Sequence, residues 1–218
     1  MPPTSVLAGS DHIALPEVKR PTPVGEVLRT RRSAQRFQSQ EVSFHDLAKI
    51  LSEAACVSSE HGRGAPSAGA LYPIDIYLCV VDVAGLAPGF YGLDPFTARL
   101  NKLRISTDPR AFLKETLVFQ NLAKDSAFHV FFIASFTRQR VKYGQRAYHF
   151  ALLEAGHLAQ AMFMVAQELG VASCPVGGFI DDAVDELLCL DGVEQSVLYS
   201  AAFGYEDTSS LSGLGQAS

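Results

Sequence analysis

The sequence predicts an α+β protein, a sheet with helices packed on it, and three observations carry that expectation. Two runs, Ile74 to Val83 and Ala127 to Phe136, are apolar and rich in β-branched or aromatic residues, as buried strands are. Two segments read as helices: one opens at the capping pattern Ser43-Phe44-His45-Asp46, and a long apolar one runs from Arg146 to Leu169. The glycine-containing stretch around Gly69 leads into a strand, whereas a parallel nucleotide-binding unit places such a loop between a strand and a helix.

Residues 1–23 hold Pro2, Pro3, Pro16, Pro21 and Pro23 without periodicity and read as an extended arm or a docking segment. Residues 24–205 form one folded domain, and residues 206–218 are a Ser/Gly-rich tail. Within the domain, Gly25 to Arg32 reads as a short helix ending in arginines. A helix from about residue 44 to 56 follows the cap at Ser43, and then comes the strand at Ile74 to Val83. Gly89 to Leu93 is a short strand. Asp108-Pro109 opens a helix through about Gln120, because Asp caps and Pro suits the first helical position. The strand Ala127 to Phe136 leads through a basic loop to the long helix, which Gly170 closes. That helix is apolar around most of its circumference, as a central or subunit-interface helix is. Asp181 to Leu190 is a last helix and Ser196 to Phe203 a last strand.

The composition narrows the function. With 218 residues, 48% hydrophobic and 19% charged, the chain holds one sizeable core and is not a disordered polypeptide. No apolar run reaches bilayer length and no secretory pattern opens the chain, so no membrane association is expected. The four cysteines are scattered without C-x-x-C spacing, which fits a reduced cytoplasmic setting. All 18 Lys and Arg lie at or before Arg146, and the segment beyond it holds ten acids and no Lys or Arg, so an anion site draws its cationic side chains from the first two thirds. A net charge of −5 argues against nucleic-acid binding. The six histidines show no metal-site spacing; His157 reads as a core or interface histidine. The absence of G-x-S-x-G and H-E-x-x-H argues against hydrolases and zincins.

Four stretches could carry chemistry. Arg29, Arg31, Arg32 and Arg36 surround Ser33 and Gln35; guanidinium forks bind phosphate, though the same pattern fits a solvated helix end. Arg63-Gly64-Ala65-Pro66-Ser67-Ala68-Gly69-Ala70-Leu71-Tyr72-Pro73 is small and stiff, which lets a backbone approach a flat ligand, or is an ordinary loop entering a strand. Lys142-Tyr143-Gly144 offers two groups able to act as a coupled acid–base unit, or a basic turn. Gly177-Gly178 exposes backbone N–H groups that could donate to a ring nitrogen, or marks a turn.

Taken in order, these stretches resemble the nitroreductase superfamily and, within it, the SagB-type flavin-dependent oxidoreductases. The carriers are Arg31-Arg32-Ser33 with Phe37, Pro66 to Pro73, Lys142-Tyr143-Gly144 with Arg146-Ala147-Tyr148, Leu153 to His157, and Gly177-Gly178-Phe179. The resemblance implies a mainly antiparallel sheet packed with helices, a homodimer built on the long central helix, and FMN in each of two interface clefts. It implies phosphate binding by Arg31, Arg32 and Ser33, with Gln35 in the cofactor site where the family often has a basic residue, and with Arg63 near. It further implies a flavin-contacting loop at Pro66, Ser67, Ala68, Gly69 and Ala70, backbone approach to the flavin at Gly177 and Gly178, and catalysis by Lys142 and Tyr143. Ala70 and Tyr72 stand where ordinary nitroreductases have Asn and Gln, which points to the SagB branch. Glu206-Asp207 stands where those enzymes place a cation.

The resemblance implies oxidation of thiazoline or oxazoline rings in a peptide-derived or small-molecule substrate to thiazoles or oxazoles, with a possible cyclodehydratase partner. NAD(P)H-dependent reduction of nitro compounds or quinones is the alternative with the same cofactor. A docking subunit of a peptide-modifying complex, with weak flavin binding, is the alternative from another class.

Overall fold

The computed structural model describes Pro16 and residues 20–208. Most of the arm at 1–23 and of the tail at 206–218 therefore lies outside the described residues. In chain order the elements are α1 (Pro23–Thr30), β1 (Val42–Ser43), α2 (Phe44–Ala54), a 3-10 turn (Ala68–Ala70), β2 (Ile74–Val80), β3 (Val83–Ala84), β4 (Gly89–Asp94) and β5 (Arg99–Lys102). They continue with α3 (Pro109–Thr116), α4 (Gln120–Asp125), β6 (Phe128–Ser135), α5 (Phe136–Tyr143), α6 (Arg146–Glu168), β7 (Ala172–Val176), α7 (Asp181–Leu187) and β8 (Gln195–Gly204).

Local chemistry sets several starts. The Ser43 hydroxyl accepts from the Asp46 amide at 3.0 Å, and the Asp108 carboxylate accepts from the Ala111 amide at 2.8 Å ahead of Pro109. Thr22 caps α1 in the same way, with Pro23 opening the helix.

Six strands form one antiparallel sheet in the order β5-β4-β2-β6-β8-β7, so the antiparallel α+β expectation holds. Every residue of β6 is buried, because helices cover both faces of the sheet. Phe128, Val130, Phe132 and Ala134 face the core shared with α2 and α6. Phe131 and Ile133 face the core shared with α3, α4 and α7. The twofold alternation of side chains thus feeds two cores from one strand. Tyr148, Leu152 and Leu153 leave an apolar face of α6 exposed on the single chain.

The structure departs from sequence expectation in several places. The strand at residue 74 stops at Val80, because the amides of Val81 and Asp82 both donate to the Ala127 carbonyl and turn the chain aside. The helix expected through Gln120 breaks at Leu117, which is extended and buried. There the Ile180 amide donates to the Thr116 carbonyl and the Val118 amide to the Gly178 carbonyl, so a remote segment outcompetes helical continuation. The basic stretch expected as a loop is helix α5. Cys174 and Pro175 lie in β7, an edge strand, where the missing Pro N–H is tolerated. His157 is exposed, so it is no core histidine. Among the described residues no helix is long and apolar enough to cross a membrane.

Candidate functional site

The residues singled out in the sequence fall into two groups. The first lies along the β7 edge. The Ala34 amide donates to the Ser173 carbonyl at 3.0 Å, and Ser33 bridges Ser173, which seats the segment after α1 beside β7. Arg31 is half-buried at the end of α1 and near Cys174, whose thiol is pushed up by burial and pulled back by the Arg31 charge. Gln35, Cys174, Pro175, Val118 and Phe119 line a groove of about 510 Å³, within the range of small-molecule sites. Gly178 packs against the Phe119 ring, with 3.1 Å left for a Cβ, while the backbone at Gly177 faces open space.

Arg32 differs from Arg31. Its Nη2 and Nε donate to the same Glu206 oxygen at 2.7 and 3.1 Å, so its charge is already matched. Glu206 is itself held by Gln38, whose side-chain amide donates to the Glu206 carbonyl at 2.8 Å. The acid that replaces the expected cation thus sits directly on one of the two arginines.

The second group is built by the loop before β2, by α5 and by α6. Arg63 and Glu154 form an ion pair with side chains only 1% and 2% exposed. Burial pushes the Glu154 carboxyl up, opposed by the Ser67 hydroxyl and the Arg63 charge. The Arg63 guanidinium also stacks over the Tyr72 ring at 4.8 Å. Its charge ties the loop to α6, so it stands as a strut and not as a free cation. The loop then passes through three left-handed residues, Gly69 (φ 66°), Ala70 (φ 53°) and Tyr72 (φ 45°). The Tyr72 amide donates to the Ser67 hydroxyl at 2.9 Å, which offsets part of that strain.

Lys142 and Tyr143 end α5, and Gly144 stops the helix. Both reach Gly69: a Cβ there would lie 2.6 Å from the Tyr143 hydroxyl oxygen and 2.9 Å from Lys142 Nζ. Lys142 Nζ is 5.4 Å from the centre of the Tyr143 ring, which meets Phe150 edge-on at 4.9 Å. Gly69, Lys142 and Tyr143 are therefore neighbours although 73 and 74 positions separate the two segments. The groove of the first group includes none of these residues.

The first group suits a ligand that is anionic at one end, through Arg31, Ser33 and Gln35, and flat elsewhere, where Gly177 leaves the backbone open. The second suits proton transfer beside a closely approached backbone. Asp75 and Glu154 complete the second group with Arg138, and none of the three was given a site role from the sequence. Only Glu154 carried a usable signal, a lone acid on an otherwise apolar helix face.

The family whose sequence profile matches is the Nitroreductase family, over residues 28–205. The chain belongs to it. As a nitroreductase-family oxidoreductase it is 32% identical over 178 residues to MJ1384 of Methanocaldococcus jannaschii, which bears a nitroreductase name, across 81% of this chain and 88% of that one. It is also 26% identical over 151 residues to the Microcin B17-processing protein McbC of Escherichia coli. That match covers 65% of this chain and 54% of McbC, so it spans about half the length of that relative. Among solved structures, the E. coli microcin synthetase McbBCD complex with truncated pro-MccB17 bound matches with a TM-score of 0.70 and 21% identity, over 91% of this chain and 79% of that chain. A nitroreductase-like protein of Desulfovibrio desulfuricans in complex with FMN matches with a TM-score of 0.60 and 18% identity, over 86% and 88% of the two chains. Both likenesses concern the fold.

Proposed function

We propose that this oxidoreductase is an FMN-dependent dehydrogenase that oxidises thiazoline or oxazoline rings of a peptide-derived substrate. The observation that carries the reading is the convergence of Lys142 Nζ and Tyr143 Oη on the backbone of Gly69. The likeness to a microcin-processing protein supports the substrate class.

FMN, when bound, supplies the two-electron acceptor for a hydride from the ring. Arg31, Ser33 and Gln35 would hold its phosphate, and the backbone at Gly177 and Gly178 would receive its ring. Pro66, Ser67, Ala68, Gly69 and Ala70 would line the site from the second group, with Arg63 holding that loop in place. In the homodimer that this reading calls for, the cleft would join the first group of one protomer to the second group of its partner. The exposed apolar face of α6 is the surface for that homodimer. Aromatisation removes the ring Cα proton, which the neighbouring imine and carbonyl acidify. One member of the Lys142–Tyr143 pair accepts it. A partner that forms the azoline precedes this step.

The test is purified protein reconstituted with FMN and offered a synthetic thiazoline peptide. Loss of two hydrogens from the peptide, seen by mass spectrometry, is the expected result, abolished in FMN-loaded Lys142→Ala and Tyr143→Phe. Full activity in both variants overturns the role of the pair. Rapid bleaching of the flavin by NADPH with no peptide oxidation replaces the dehydrogenase reading with a reductase.

A further inference from the structure

Helix α5 carries the reacting pair, yet its only buried residue is Gln139. Its apolar anchorage lies at its two ends, where Phe136 packs on the main core and Tyr143 meets Phe150, and between them polar contacts hold it. One flank is held by an ion pair between Arg140 and Glu194. The other is held by Arg138, one helical turn before Lys142 and on the same face.

Arg138 makes three bonds. Nη1 donates to Asp75 Oδ1 and Nη2 to Asp75 Oδ2, each at 2.8 Å, a fork-to-fork pair. Nη1 also donates to the Tyr72 carbonyl at 2.9 Å. Asp75 belongs to β2, and Tyr72 is the last left-handed residue of the loop that begins at Gly69. One guanidinium therefore grips both walls of the candidate site, the helix that bears Lys142 and Tyr143 and the loop that bears Gly69. No other contact described for α5 reaches that loop from the side chain of a residue outside the pair.

We propose that Arg138, held by Asp75, is the positioning residue of the Lys142–Tyr143 pair and sets its distance from Gly69. The inference rests on the dehydrogenase reading for its kinetic consequence, but the clamp itself does not. The Arg138 side chain is 43% exposed and that of Asp75 25%. Such a pair adds little to global stability, so its loss displaces the site without unfolding the domain. Lysine does not replace it, because an ammonium cannot make the planar fork and reach the carbonyl together.

The experiment compares FMN-loaded parent, Arg138→Gln, Arg138→Lys, Asp75→Asn and the double variant Arg138→Gln/Asp75→Asn. Thiazoline-peptide oxidation, thermal melting and amide hydrogen exchange are the readouts. The expected result is melting within a few degrees of the parent, kcat lower by about 10²-fold with KM little changed, and a double variant no worse than either single one. Amides of residues 69–72 exchange faster in Arg138→Gln. An unchanged kcat in Arg138→Gln, while the parent is active, overturns the clamp and leaves the dehydrogenase reading standing. If the parent oxidises no thiazoline, the dehydrogenase reading falls and exchange decides the clamp: faster exchange at residues 69–72 upholds it, and unchanged exchange overturns it.

Discussion

Replacing Gly69 by alanine tests the contact on which the proposed chemistry depends. The backbone at Gly69 is left-handed, with φ at 66°, and an alanine there costs about 1 kcal/mol relative to glycine. The new Cβ would sit 2.6 Å from the Tyr143 hydroxyl and 2.9 Å from Lys142 Nζ, and ordinary contact begins at 3.4 Å. Lys142 can swing away on its flexible stem. Tyr143 cannot move so freely, because its ring packs on Phe150, so the hydroxyl must give by about 0.8 Å through the ring or the end of α5. A displacement of that size at a reacting group lowers kcat by about 10²-fold. The melting temperature falls by about 2–4 °C for each kcal/mol in a chain of this length. Gly170→Ala is the control, since Gly170 has φ at 72° and nothing within 4 Å of its missing Cβ, so it bears the backbone cost alone. Thiazoline-peptide oxidation and thermal melting of both variants decide the matter. Equal kcat in Gly69→Ala and Gly170→Ala would show that the pair does not work against this backbone.

Three further outcomes are expected. His129 is fully buried with Nε2 2.9 Å from the Ser126 hydroxyl, and burial pushes its pKa down to about 4 from 6.5. Between those values the unfolded chain binds a proton that the native imidazole refuses. Stability is therefore full above pH 6.5 and falls as pH drops, by about 1.4 kcal/mol per pH unit and about 3 kcal/mol in all. Urea titrations of His129→Gln should lose that slope, and an unchanged slope would assign it to another group. Glu154→Gln leaves the buried Arg63 charge unmatched and should cost about 3–5 kcal/mol in urea unfolding, most of it recovered when Arg63 is also replaced by methionine. Glu206→Gln releases Arg32 and should tighten FMN binding by roughly two- to fivefold in a fluorescence-quenching titration; unchanged affinity would show that Arg32 stays away from the phosphate.

Short-range chemistry was legible wherever one residue's side chain decides its own backbone. Ser43 and Asp108 announced helix starts, and Gly170 announced a helix end, because capping and left-handed backbone involve neighbours three or four positions away. The apolar runs at β2 and β6 announced buried strands. In the six-stranded sheet, the strands that went unseen are polar, Arg99–Lys102, or carry proline, Ala172–Val176; pairing with a neighbour makes them strands. Helix α5 went unseen because ion pairs to Asp75 and Glu194, remote in sequence, hold it.

By itself the sequence determined the α+β class, the strands of the central core and the family, and it named the candidates for binding an anion or moving a proton. Each depends on residue type and local spacing, which a linear chain displays. Tertiary structure alone decided that Glu206 occupies Arg32, that Arg63 is matched by Glu154, and that Lys142 and Tyr143 meet Gly69. Those are contacts between segments dozens of positions apart or more. Electrostatics and packing act through space, and only the folded chain sets those distances.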